Sequence, residues 1–194
     1  YQQNTMRDAF VAALTFNIFH KHTRRVKMAN IAQIVNVLQS MILTNQEDGG
    51  HMVLTPTYHV FKMYTPFQEA LPLPVDISCK TMNVRKDYTK PIAPDNQKNL
   101  PLVSCSAAKK DDGTILIALA NVCLDKQQEI KINLSGETPK SFKGTILTSK
   151  NIADHNDFGH PNKVKPEAFN NAKIKNNALN IQLPAKSIVV LEVK

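Results

Sequence analysis

Three amide side chains interrupt a run of residues that otherwise has the composition of a protein core. The run is VKMANIAQIVNVL (residues 26–38), and its amides are Asn30, Gln33 and Asn36. A buried amide without a hydrogen-bond partner costs roughly 1–3 kcal/mol. We therefore expect the fold to satisfy these amides internally, or one of them to face a polar ligand, which an amide can contact as donor and as acceptor.

Two pairs of histidines could suggest a metal ion. His20 and His22 lie two positions apart on a predicted helix, where they cannot share a face. We expect them to complement the negative end of the helix dipole or to lie on the surface. His155 and His160 flank a loop that also carries two aspartates. A metal could bind there, but hydrogen-bonded ordering of the loop is favoured, so the sequence predicts no metal site.

No other set of residues predicts a cofactor or a nucleophile. The three cysteines form no CxxC pair, and we expect buried free thiols, although one disulfide is open. The six glycines form no phosphate-binding loop. The net charge of +8 could indicate nucleic acid, but the lysines are scattered, tryptophan is absent and aromatic residues make up 6% of the chain. A solvated basic surface is the favoured interpretation.

The length of 194 residues suits one domain or one and a half, and no run approaches the 18 apolar residues of a membrane helix. The first residue is Tyr1, and no secretory signal is visible. We expect a mature form or a piece of a longer protein. The sequence does not set the compartment.

The first half alternates helical and extended patterns. Thr5 and Asp8 resemble a capping box, and apolar residues then recur at helical spacing to residue 18. Residues 26–30 are apolar and short, which predicts a buried strand. Residues 41–44 and 51–55 flank NQEDGG, a hairpin signal, and residues 57–64 after Pro56 predict a helix.

The second half predicts an antiparallel β-sandwich. Prolines punctuate it, and KKDDGT (residues 109–114) contains a turn signal between two strand-like runs. Further strands are predicted at residues 115–122, 128–134, 145–147, 179–183 and 187–193. By contrast, the first half supplies one strand that is apolar on both faces, and such a strand needs parallel neighbours. It has the pattern of the tail of an α/β barrel.

Several segments, in order, resemble α-L-arabinofuranosidases of glycoside hydrolase family 51. The end of that family's catalytic barrel resembles LTFNIFHKH (14–22), RVKMANIAQIVNVLQSMILT (25–44) and MVLTPTYHVFKMY (52–64). Its C-terminal β-domain resembles DHNDFGHPNKVKPEAF (154–169) and LPAKSIVVLEV (183–193). The resemblance implies the last βα elements of a (β/α)₈ barrel in residues 1–72 and a jelly-roll-like β-sandwich in residues 73–194.

The resemblance also implies a function. Such enzymes release terminal arabinofuranosyl groups from arabinan and arabinoxylan with retention of configuration, and they need no cofactor or metal. Residues 26–30 would be the eighth barrel strand. Gln33, just past its end, matches a family glutamine that contacts arabinose, whereas Asn30 and Asn36 are expected to be structural.

The sequence departs from the family in one respect that concerns catalysis. Retaining hydrolysis needs two carboxylates about 5–5.5 Å apart. Residues 1–46 hold one acidic residue, Asp8, which is predicted in the first turn of a helix, and Glu47 and Asp48 lie in a turn. Both family glutamates would lie upstream of Tyr1. We therefore expect this chain alone to be inactive, with no catalytic residue of its own.

Two alternatives stay open for the chain. It could be a portion of an arabinofuranosidase, with the rest of the barrel or a second copy covering its apolar surface. It could instead be a non-catalytic β-sandwich module that binds carbohydrate or supports a partner domain. Aromatic platforms for sugar are scarce in its second half, so support is favoured over polysaccharide binding.

Overall fold

The computed structural model describes residues 4–32, 34–45, 47, 49–87, 89–91 and 93–194. A helix, a β-hairpin and a second helix precede a series of antiparallel strands. The helices are α1 (Met6–Lys21) and α2 (Pro56–Tyr64), with 3₁₀ turns at Thr65–Phe67 and Pro94–Asn96. The strands are β1 (Ile42–Asn45), β2 (His51–Leu54), β3 (Leu71–Leu73), β4 (Thr81–Arg85), β5 (Gln97–Pro101), β6 (Val103–Lys109), β7 (Ile115–Asn121), β8 (Gln128–Asn133), β9 (Phe142–Thr148), β10 (Glu167–Ala168), β11 (Ala172–Lys175), β12 (Ala178–Leu183) and β13 (Ser187–Val193).

A six-stranded sheet organises the molecule, with strand order β10-β9-β13-β7-β6-β3. Every residue of its central strand β7 is buried, and β13 is buried at all but one position. Strands buried on both faces carry continuous apolar runs, and ILIALAN and SIVVLEV have this character. The sheet must therefore be covered on both sides.

Helices α1 and α2 cover one face of this sheet. Leu116, Ala118 and Ala120 point from β7 into a cluster that also contains Ala9 and Ala13 of α1. The small alanine side chains on both surfaces let the helix backbone approach the sheet closely. One core thus joins the helices of the first half to the strands of the second.

The opposite face packs against a three-stranded sheet in the order β11-β12-β8. Ile117 and Leu119 of β7 meet Leu179 and Ile181 of β12 in this second cluster. All paired strands named above run antiparallel, so the predicted antiparallel β-sandwich is confirmed. Within the described residues, no helix has the length and apolar character needed to cross a membrane.

The structure confirms several local predictions. The predicted helices correspond to α1 and α2, and the predicted hairpin is formed by β1 and β2. The KKDDGT turn joins β6 to β7, where Gly113 has a φ of 85°. The three cysteines are free thiols.

The prediction of a buried strand at residues 26–30 is wrong for this structure. These residues belong to no helix or strand, residues 27–30 are exposed, and Met28 is 77% exposed. A strand that is apolar on both faces needs neighbours on both edges, and none of the described strands pairs with residues 26–30. The division at residue 72 stays a prediction, and β3, which spans it, pairs with β6.

Gly144 in β9 tests the packing between the six-stranded sheet and the segment that follows β10. A methyl group on Gly144 would lie 2.9 Å from Leu191 Cδ2 and 3.0 Å from Phe169 Cβ. We expect Gly144→Ala to lower the free energy of unfolding by about 1–3 kcal/mol, because overpacking strains a filled core. Urea unfolding followed by circular dichroism measures this change.

The matched control is Gly159→Ala, since a methyl group there meets its nearest atom, Asp157 Oδ1, only at 3.4 Å. Its unfolding free energy should stay within about 0.5 kcal/mol of the parent value. Equal effects of the two substitutions would contradict the packing described for Gly144.

Candidate functional site

A mainly apolar groove lies between α1 and the segment that follows it. Its volume is about 160 Å³. Phe16, Phe19 and Phe61 form much of its wall, and Ile31 closes one side. Its polar lining residues are Asp8, Thr15, Asn30, Gln39 and Thr57.

Asp8 is the one carboxylate among the described residues that line this groove, and it is already engaged. Its Oδ2 atom accepts hydrogen bonds from the Thr5 backbone N at 2.9 Å and from Thr5 Oγ1 at 2.7 Å. The predicted capping role of Asp8 is confirmed. The described lining of the groove thus offers no pair of carboxylates for retaining hydrolysis, which needs two of them.

Gln33, the predicted sugar ligand, lies outside the described residues. The chain immediately after it is held by backbone hydrogen bonds, because Ile34 O accepts from Met41 N at 2.9 Å and from Ile42 N at 3.1 Å. Asn36 N donates to Ile42 O at 3.1 Å. Residues 34–36 are thereby fixed along the outer edge of β1.

Asn36 has the structural role predicted for it. Its Oδ1 accepts from Thr44 N at 2.8 Å, and its Nδ2 donates to Thr44 O at 3.1 Å and Thr44 Oγ1 at 2.9 Å. Its φ of 54° lies in the left-handed region, which asparagine tolerates better than most residues. One of the three amides of the opening run is therefore satisfied by the hairpin. Asn30 lines the groove.

A buried polar network joins α1 to β6. Asn17 is 1% exposed; its Oδ1 accepts from Ser106 Oγ at 2.8 Å and Tyr64 Oη at 3.1 Å. Its Nδ2 donates to Ser104 Oγ at 3.1 Å. His20 Nδ1 lies 2.9 Å from Ser106 Oγ, and the imidazole ring stacks on Phe67 at 4.6 Å. His20 lies in the last turn of α1, as predicted, but its imidazole packs against the sheet and does not have the predicted surface position.

Burial sets the protonation of the groups in and beside this network. It lowers the pKa of His20 below the usual value of 6.5, because the imidazolium would lose its hydration. Burial also raises the pKa of Cys105 to about 12 and the pKa of Tyr64 above its usual range. Neutral His20, thiol and phenol groups suit a structural network, and the protonated thiol is a poor nucleophile.

The histidine–aspartate loop is ordered by hydrogen bonds. Asp157 Oδ1 accepts from His160 N at 2.7 Å, and this backbone bond is the main cause that lowers the pKa of Asp157. His155 Nε2 lies 3.8 Å from Asp157 Oδ2. Among the described residues, no three His, Cys, Asp or Glu side chains are grouped as metal ligands would be. The structure supports the loop-ordering interpretation.

Sequence reasoning missed two sets of buried polar contacts. One is the network around Asn17, whose partners are up to 89 positions away. The other is Asn156, which lies in the DHNDFGHP segment and contacts β2. No local sequence pattern indicates the network around Asn17. Asn156 lies in one of the segments that resemble the family's C-terminal β-domain.

The fold is that of a β-sandwich with two helices on one face, and its groove has no pair of carboxylates. A family model, the α-L-arabinofuranosidase C-terminal domain, matches residues 1–187. An intracellular exo-α-L-arabinofuranosidase from Bacteroides ovatus is 52% identical over 194 residues, which are 100% of this chain and 35% of that relative. The chain belongs to the α-L-arabinofuranosidase C-terminal domain family, within glycoside hydrolase family 51.

More distant relatives and solved structures agree with this assignment. A probable α-L-arabinofuranosidase C from Aspergillus clavatus is 28% identical over 127 residues, 66% of this chain and 24% of that protein. The family 51 arabinofuranosidase from Xanthomonas axonopodis pv. citri is 42% identical with a TM-score of 0.86, covering 100% of this chain and 36% of that one. The chain thus spans about a third (35%) of the length of the Bacteroides ovatus relative.

The half-buried imidazole of His20 predicts a pH dependence of stability. The pKa of His20 is lowered in the folded state. As the pH falls below 6.5, the unfolded chain is therefore protonated at His20 before the folded chain is, and protonation favours unfolding. We expect the free energy of unfolding to decrease from about pH 7.5 to about pH 5, a window above the titration of most aspartates. Urea unfolding at several pH values measures the slope.

The substitution His20→Gln should reduce this slope, and His22→Gln is the matched control because His22 is exposed. Part of the slope should persist in both variants, since burial also lowers the pKa of His59. A slope unchanged by His20→Gln would contradict the prediction.

Proposed function

We propose that this chain is the C-terminal portion of a retaining α-L-arabinofuranosidase that releases terminal arabinofuranosyl groups from arabinan and arabinoxylan. The observation that carries the proposal is the 52% identity to an exo-α-L-arabinofuranosidase along the entire chain. Both catalytic glutamates of the enzyme lie outside residues 1–194. The chain alone therefore performs no hydrolysis, and the chemistry belongs to the whole enzyme.

Residues 1–72 form the end of the (β/α)₈ barrel in this proposal, with residues 26–30 as its last strand when the preceding strands are present. Exposed apolar side chains support it, since isolated proteins seldom leave many of them uncovered. They concentrate in this part of the chain, and the exposed ones are Val11, Ile18, Met28, Ile34, Val35, Leu38, Met52 and Leu71. The rest of the barrel is the partner that covers them; self-association is the alternative.

Gln33 is the residue of this chain that contacts substrate in our proposal. Active sites of (β/α)₈ barrels lie at the carboxyl ends of the strands, and Gln33 follows residues 26–30. Its amide can donate to one sugar hydroxyl and accept from another. Backbone hydrogen bonds hold Ile34, which supports this role. A substrate-binding side chain next to such a fixed segment loses little conformational entropy when the sugar binds.

Residues 73–194 act as structural support for the barrel. The sandwich carries α1 and α2 on its face through a shared core. Carbohydrate binding by the sandwich is the second candidate. It is disfavoured because Phe169 is buried at 2% exposure and few aromatic residues lie on the surface among the described residues of this half, although Phe158 is 37% exposed.

The isolated 194-residue chain is predicted to release no product from an aryl α-L-arabinofuranoside, whereas the whole enzyme should hydrolyse it. The measurement is the rate of phenol release at equal protein concentration. Turnover by the pure chain would refute the claim that its catalytic carboxylates lie elsewhere.

In the whole enzyme, Gln33→Ala should lower kcat/KM about tenfold, the effect of losing a hydrogen bond of about 1.4 kcal/mol. Gln182→Ala, on the exposed side of β12, is the matched control and should leave kcat/KM unchanged. If both variants keep the parental kcat/KM, Gln33 is not a substrate ligand.

Affinity electrophoresis on gels containing arabinan or xylan separates the two roles of the sandwich. We expect the migration of the chain to be unaffected by the polysaccharide. Retardation on either gel would establish the carbohydrate-binding role instead.

A further inference from the structure

The buried side chain of Asn156 connects the β-sandwich to the β1–β2 hairpin. Asn156 is 0% exposed, and its Nδ2 donates to Leu54 O at 2.8 Å, the last residue of β2. The same amide holds its own loop, since Nδ2 also donates to Val164 O at 2.8 Å and Oδ1 accepts from Val164 N at 2.7 Å. The two bonds to Val164 are buried, and the bond to Leu54 O is partly buried. Asn156 thus ties a rigid sandwich loop to the hairpin.

From Leu54 the connection continues across the hairpin to residue 34. Leu54 is paired with Ile42 in the register of β1 and β2. On the far edge of β1, Ile42 N donates to Ile34 O at 3.1 Å. Four residues therefore form one continuous path from the sandwich to the residue that follows Gln33: Asn156, Leu54, Ile42 and Ile34.

The loop that carries Asn156 also binds α1, the helix that precedes residues 22–41. Its carbonyl groups accept from the first amides of α1, with Met6 N to Asp154 O at 2.8 Å and Arg7 N to Ile152 O at 2.9 Å. Helix α1 precedes residues 22–41 and the hairpin follows them. One loop of the sandwich, residues 151–157, thus fixes both flanks of the segment.

We propose that Asn156 is a positioning residue for residues 34–42 and, through them, for the sugar-binding amide of Gln33. This inference rests on the proposed function, because Gln33 matters here as a substrate ligand. The sandwich would then do more than stabilise the barrel. It would set the position of one wall of the sugar subsite, and a small displacement of such a group reduces catalytic efficiency.

Hydrogen–deuterium exchange on the whole enzyme tests the structural part without any assay of activity. In Asn156→Ala, the amides of Met41 and Ile42 should exchange about tenfold faster than in the parent, because their fixed acceptor segment loosens. Asn156→Asp is the second variant, since it keeps the volume and the Oδ1 acceptor but loses both donated bonds. If one variant does not fold, the other decides.

Asn121 supplies a matched control, because it is an equally buried asparagine at 0% exposure. Its Nδ2 donates to Lys126 O, Leu183 O and Pro184 O, and its Oδ1 accepts from Cys123 N, all within the sandwich. Asn121→Ala should destabilise the sandwich without faster exchange at Met41 and Ile42. Equal exchange in the Asn121 and Asn156 variants would overturn the inference.

A double-mutant cycle tests the link to Gln33. Asn156→Ala should raise KM for an aryl α-L-arabinofuranoside about fivefold with kcat nearly retained, as expected for loss of uniform binding. In a Gln33→Ala background it should change KM less than about twofold, since coupled residues are not additive. Full additivity would overturn the inference. If Gln33→Ala alone has no effect, the proposed substrate-binding role of Gln33 fails, and hydrogen exchange still decides whether Asn156 positions residues 34–42.

Discussion

The architecture depends on one constraint, which is that β7 must be buried on both faces. Its residues alternate between two cores, with Leu116, Ala118 and Ala120 facing the helices and Ile117 and Leu119 facing the second sheet. Removing either cover would expose a fully apolar sheet face. Hydrophobic burial therefore binds the helices of the first half to the strands of the second, although the two halves differ in sequence pattern.

Polar contacts then determine where the helices sit on that apolar surface. Hydrophobic packing is non-directional, whereas hydrogen bonds of defined geometry specify position. The Asn17 network fixes α1 against β6, and the loop at residues 151–157 fixes the first turn of α1 and the end of β2. The sandwich thus supports the residues that the proposed enzyme would use, although none of its strands contributes to the described lining of the groove.

Elements with strong local signals were predictable from the sequence. Thr5 and Asp8 marked the start of α1, and the apolar run of β7 marked a buried strand. Long-range partners had no such signal, because nothing local to Asn17 indicates a serine 89 positions away. The strand predicted at residues 26–30 does not form in this structure because strand formation there depends on neighbours. Within the candidate site, Asn36 was anticipated, and Gln33 rests on the family resemblance.

In the proposed function, the catalytic nucleophile of the enzyme lies outside these 194 residues. A retaining mechanism forms a covalent glycosyl–enzyme intermediate on that nucleophile. The most direct measurement traps this intermediate on the whole enzyme with a slowly released arabinofuranosyl donor and locates the label by peptide mass spectrometry. We expect a labelled glutamate in a peptide absent from the present sequence. A label on any residue between Tyr1 and Lys194 would contradict it.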